Sequence, residues 1–257
     1  MTPSTRPSSQ KRKGLLIGAA SVVILFLAWD VLAAAVGKDI ILPRPGRVIG
    51  EAALLYPTPR FLEALGATFI RGSLAFGLTL AIGGAAGVAA GISPSFEAAL
   101  APLLTVIRAT PVLALILVAL LWFPSGAVPV FAAFLMSFPV MVTSASAGVR
   151  ATDPKLLEMA RLFDVPRGEI LRKLRLPSAL PHILSGSRNA LGLSWKAVVA
   201  GEVLSQPLRA LGSGMQESRV LLETPRVLAW AAASILLCGL TEWAFGLAAK
   251  AVFRHGH

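Results

Sequence analysis

The chain has 257 residues, of which 55% are hydrophobic and 14% charged, with a formal net charge of +11. A soluble domain is usually about a quarter charged, so the composition excludes that class and points to a membrane protein. The 24 Lys and Arg are not gathered in one groove, which excludes a nucleic-acid partner, and the single cysteine, Cys238, excludes an intramolecular disulfide or a cysteine metal cluster.

Residues 1–13, MTPSTRPSSQKRK, are rich in Ser, Pro and basic residues and are expected to form a disordered cytoplasmic tail. Residues 14–36 are apolar for about 23 positions, longer than the core of a cleaved signal peptide and enough for a first span. Asp30 lies near its far end, within reach of headgroups. A Pro-punctuated loop at 37–62 follows, with one short surface helix over 47–55. The second span, 65–91, has Arg71 near its start and the small-residue run GLTLAIGGAAGVAAG. Small residues allow helices to approach closely where lipid removes the hydrophobic drive, so this span is expected at the bundle centre. Spans at 100–123 and 128–149 are interrupted by Pro111 and Pro139. A fifth span occupies 178–204 and a sixth 227–252, separated by a loop at 205–226. The fold expected is all-α and polytopic, six transmembrane helices in one membrane domain over 14–252, with 253–257 as a short C-terminus.

The polar stretch DPKLLEMARLFDVPRGEILRKLRLP at 153–177 separates spans four and five. A connection of that length is uncommon unless it has a function. Asp153 is placed to cap a helix and Pro154 to open it. Leu156, Met159, Ala160 and Phe163 then recur at helical spacing. After a pause at Asp164, Pro166 starts a second amphipathic segment carrying Ile170, Leu171 and Leu174. Two short helices joined by a bend, with one apolar face, suit insertion into the groove of a soluble partner. With the N-terminus inside, the tail, the 150–176 loop and the C-terminal end from Lys250 onward together hold thirteen Lys and Arg, against seven in the outward loops. This places the stretch in the cytoplasm.

Glu158, Met159 and Ala160, then Asp164, then Leu174, Arg175, Leu176 and Pro177 resemble the cytoplasmic EAA loop of permease subunits in bacterial ABC importers. The pattern is EAA, three residues, Gly, nine residues, I-x-L-P. Met159 replaces the middle Ala and Asp164 the Gly; Asp tolerates the left-handed backbone that such a bend requires. The resemblance extends over about 42–214 and has the character of the nitrate, sulfonate and taurine type, through LPRP at 42–45, RATPVLAL at 108–115 and LSWKAVVAGE at 193–202. It implies an inner-membrane permease, working with a second permease copy, two ABC ATPase subunits and an extracytoplasmic solute-binding protein, in contact with membrane lipid and without a cofactor. Glu158, Ala160, Arg161, Asp164 and Pro177 become the residues expected to couple ATPase closure to the spans. The chain lacks GxxxxGK[ST], so ATP hydrolysis is expected on a separate subunit.

The fifth span carries Arg188, Asn189, Ser194, Trp195, Lys196 and Glu202. Ionisable groups at such depth face protein or water. Arg188, Trp195 and Lys196 are candidate pathway residues for an anionic solute; pairing with neighbouring helices is the structural alternative. An ion-gradient-driven secondary transporter or channel is the other functional class open to such a chain. That class shows intramembrane carboxylates and paired broken helices, whereas Asp30, Glu202 and Glu242 are expected toward the ends of their spans.

Overall fold

The computed structural model describes residues 8–255, with side chains from 13, 14 and 16–251. The described residues form helices and no strand. Of the expected tail, residues 1–7 lie outside the described part, while 8–13 begin the first helix, α1 (Ser8–Val36). Proline at the first turn and a preceding hydroxyl or carboxyl start several of the helices that follow. α2 (Pro45–Leu55) begins on Pro45, and α3 (Pro59–Leu78) is capped by Thr58 Oγ1, which accepts from Phe61 N–H at 3.3 Å. α5 (Pro94–Ala109) is capped in the same way by Ser93, which accepts from Phe96 N–H.

α3 continues through a π-helical turn, Thr79–Gly83, into α4 (Gly84–Ile92), so that Pro59–Ile92 is one 34-residue rod. α6 (Val112–Trp122) leads to α7 (Val128–Arg150), the short α8 (Pro154–Leu162) and α9 (Arg167–Ile170). A second π-helical turn, Leu171–Arg175, then runs into α10 (Leu176–Ser205), and α11 (Leu211–Val220) precedes α12 (Thr224–His255).

The core is the antiparallel pair α7 and α10, held close because each places small residues against the other's backbone. Gly148 meets Ala179, Gly186 meets Ser144, and Gly201 meets Pro129, each at a distance no added Cβ could keep. On the other side of α7, Gly83 faces Met141, Gly87 faces Val142 and Ala145, and Gly91 faces Val149. The small-residue run thus lets α4 lie close against α7. The constant offset in these contacts shows that α4 and α7 run parallel. α5 and α6 must therefore carry the chain back between them. At the α8 end Glu97 pairs with Arg150, and farther along α5 Arg108 reaches the Pro139 carbonyl, so α5 runs against α7.

Four helices are long and apolar enough to cross a membrane: Leu16–Val36, Pro59–Ile92, Val128–Arg150 and Thr224–Ala251. The expected third span is instead two helices, α5 and α6, bent by 102° at Thr110 and Pro111; counted as one crossing they make five. A proline at that break cannot donate to continue the ladder, and the residue before it is pushed out of the helical region, here to ψ 125° at Thr110. Pro139 and Pro102 remain inside continuous helices. The expected fifth span is helical for 30 residues but is not among the apolar ones: α10 carries Arg188, Lys196 and Glu202, of which Glu202 is buried.

Candidate functional site: the α8–α10 projection and the polar face of α10

Asp153 Oδ1 accepts from Lys155 N–H at 2.8 Å and starts α8, whose end closes with paired reverse bonds. Asp164 N–H donates to Arg161 O at 3.1 Å and Val165 N–H to Ala160 O at 2.9 Å, with Asp164 at φ 50° between them. That is the left-handed closure usually given to Gly. Ala160 is buried at this bend, so a larger residue there would force α8 off its seat. Glu158 and Arg161 are exposed. Pro177 lies in the first turn of α10.

The apolar side of α8 is largely uncovered. Leu162 is 83% and Phe163 77% exposed, with Met159 beside them also open. The second amphipathic segment is not the free-standing short helix the sequence suggests: α9 passes through the π-turn directly into α10. Between α8 and α9 opens a cleft of about 940 Å³ lined by Leu157, Arg161, Arg167, Ile170 and Arg175.

Among the expected pathway residues, Arg188 and Lys196 are exposed on α10, while Trp195 is 3% exposed and packs over Gly72 and beside Phe69, with ring centroids 6.3 Å apart. The Trp195 indole N–H finds no partner among the described residues. Glu202 is fully buried. It accepts from Thr68 Oγ1 at 2.9 Å, Arg71 Nη1 at 2.8 Å and Gly212 N–H at 3.2 Å. Thr68 in turn accepts from Leu211 N–H, and Arg71 also donates to Arg209 O. This network ties α3, α10 and α11 at the end away from α8. The cation that meets Glu202 lies 131 positions away, and its only sequence signal is Thr68 and Arg71 one helical turn apart on a small-residue helix. Glu242 is not at the end of its span, as expected from sequence, but well inside α12, with Oε1 standing over Gly192 of α10.

At the same end as the Glu202 network, Tyr56 stacks on Phe61, centroids 4.5 Å apart, and donates to Ala229 O at 2.9 Å; burial raises its hydroxyl above the ordinary tyrosine value. Arg60 pairs with Glu217, and Arg209 with Glu63. No three-membered His, Cys, Asp and Glu group able to hold a metal occurs among the described residues.

A polar-centred bundle of spanning helices with a short helical projection at one end defines a polytopic membrane transport component. Residues 77–254 match the family described as the binding-protein-dependent transport system inner membrane component, and the chain belongs to that family. It is 30% identical over 234 residues to the taurine transport system permease protein TauC of Escherichia coli, covering 89% of this chain and 84% of that protein. It is 29% identical over 223 residues to the putative aliphatic sulfonates transport permease protein SsuC of Bacillus subtilis (86% and 80%). The bicarbonate transport system permease protein CmpB of Synechococcus elongatus is 28% identical over 229 residues (81% and 80%). A crystal structure of an amino acid ABC transporter with histidines shares the fold, with a TM-score of 0.61, 19% identity, and coverage of 79% of this chain and 97% of that one.

Proposed function

We propose that the chain forms, with a second copy, the translocation pathway of an ATP-driven importer for a small anionic solute delivered by a solute-binding protein. The solute class is supported by the relatives named for taurine, aliphatic sulfonates and bicarbonate, solutes that share an anionic oxygen group. ATP is hydrolysed on two separate ATPase subunits, which receive α8. The observation that carries this part is the uncovered apolar tip of α8, Met159, Leu162 and Phe163, flanked by Arg161 and Arg167 and joined by the Asp164 bend to α9, which runs through the π-turn into α10. Glu158, Ala160, Arg161, Asp164 and Pro177 are the coupling residues in this reading: two present charge to the ATPase groove, and three hold the bend and the hand-over to α10.

Six crossings with both termini cytoplasmic follow from the same reading. The alternation of α3–α4, α7 and α12 in one direction against α5–α6 and α10 in the other supports it, as does the excess of Lys and Arg at the α8 end. An ATPase-free secondary transporter has no use for an exposed apolar foot at this corner. The test is cysteine crosslinking from position 161 or 167, in a chain with Cys238 replaced by Ala, in intact cells. A crosslink to an ATPase subunit is expected, and labelling from the outer face would refute the arrangement.

A further inference from the structure

Between α4, α5 and α7 lies a cleft of about 400 Å³ that contains two arginines, Arg108 and Arg150. Arg150, at the α8 end of α7, is neutralised by Glu97 and donates to Ala90 O at 3.2 Å. Arg108 differs. It reaches Pro139, the middle of the 23-residue α7, so its guanidinium sits about 16 Å along the bundle from the Arg150 level, eleven residues at the helical rise. It is exposed, and among the described residues no carboxylate pairs with it. A cation at mid-depth is costly unless it faces water or a counter-charge.

The described contacts hold Arg108 by one hydrogen bond, Nη2 to Pro139 O at 3.3 Å. That carbonyl also accepts from Thr143 Oγ1 at 2.8 Å, so Arg108 can swing away without leaving it unpaired. Four of the five N–H donors of the guanidinium remain available for a planar or tetrahedral oxyanion, which a guanidinium holds through two parallel bonds. Ser146 adds a hydroxyl to the same cleft, while the Thr105 hydroxyl is engaged with Ala101 O. Because Glu97 and Arg150 cancel, the cleft is left with the single positive charge of Arg108, two residues before the 102° break between α5 and α6.

We propose that this cleft is an anion-binding station on the translocation pathway, with the Arg108 guanidinium as its binding group; the assignment rests on the anion-importer reading above. It lies on the α5 side of the core pair, apart from Arg188 and Lys196 on α10.

The test uses the full importer, with its ATPase and binding protein, in liposomes, and measures uptake of ethanesulfonate, nitrate and bicarbonate. Arg108→Gln is expected to lower uptake of the transported anion by about tenfold to a hundredfold, the loss of a charge-assisted hydrogen bond, while stimulation of ATP hydrolysis by the binding protein persists. Arg108→Lys, which keeps the charge but loses the paired bonds, is expected to fall between wild type and Arg108→Gln. In a Cys238→Ala chain, Arg108→Cys reports on the same folded preparation before and after modification. Aminoethyl methanethiosulfonate, which restores a positive charge, is expected to restore uptake; the neutral methyl and the anionic sulfonatoethyl reagents are expected not to. Unimpaired uptake by Arg108→Gln, or equal rescue by the neutral reagent, overturns the assignment and leaves the importer reading standing. Absence of uptake of all three anions by the wild-type complex instead overturns the anion reading, and the assignment falls with it.

Discussion

At the scale of single residues, the most demanding position is Glu202, because it is a fully buried carboxylate whose two oxygens are met by a hydroxyl, a guanidinium and a backbone N–H. Removing one member of such a set leaves the opposite charge buried without compensation, at a cost of about 3–5 kcal/mol. Glu202→Ala is therefore expected to lower the unfolding midpoint of the detergent-solubilised protein sharply. Arg71→Ala is expected to do much the same, and the double variant to fall short of the sum, since the two residues share one interaction. Trp195 makes the opposite case. Its ring fills the space left by Gly72, whereas its N–H bonds nothing described. Trp195→Phe is expected to be tolerated and Trp195→Ala to cost about 3–5 kcal/mol from the cavity, both read from thermal unfolding. Little of this was legible in the sequence. A helical pattern shows which residues share a face of one helix, but the network around Arg71 and Glu202 spans three elements, and packing such as Gly72 against Trp195 and Ala75 against Val198 brings α3 near enough to α10 to close it.

At the scale of elements, much more could be read from the chain. The Asp153-Pro154 start, the left-handed Asp164 and the small-residue run of α4 were each predictable, because each rests on a local backbone requirement or on a repeat within one helix. Local signals marked two further places without showing their extent. Pro111 reads as an interruption of one span, whereas Thr110 and Pro111 divide it into α5 and α6 at 102°, and the amphipathic segment after Pro166 reads as a separate short helix, whereas Leu171–Arg175 joins α9 to α10. The bend at Asp164 gives a direct check. Asp164→Gly should hold the closure as well or better, whereas Asp164→Val places a branched residue at φ 50° and should cost about 1–2 kcal/mol. If α8 transmits movement through this corner, Asp164→Val should also reduce ATP-dependent uptake more than it reduces the amount of assembled complex, measured by co-purification of the ATPase.

At the scale of the whole molecule, the exposed surfaces fall into two kinds that a single chain in water would not tolerate. The first is the apolar circumference of α1 and the outer faces of α3, α5 and α12, where Leu25, Leu74, Val106 and Ile235 all stand open; these suit lipid or a second copy. The second is the tip of α8, where Leu162 and Phe163 lie among Lys155, Arg161 and Arg167, a surface too charged for lipid and too apolar for water. The two kinds predict different responses to the same substitution. Leu25→Gln on α1 should weaken membrane insertion, or assembly of two permease copies, with no specific effect on the ATPase. Leu162→Glu together with Phe163→Glu should leave the protein inserted and its unfolding midpoint unchanged, because neither side chain is buried in the bundle. The double α8 variant should nevertheless lose the ATPase on gel filtration and abolish ATP-driven uptake. Retention of a stoichiometric ATPase by that variant would mean that the apolar foot is not the seat of the motor, and that the force reaching α10 enters the bundle elsewhere.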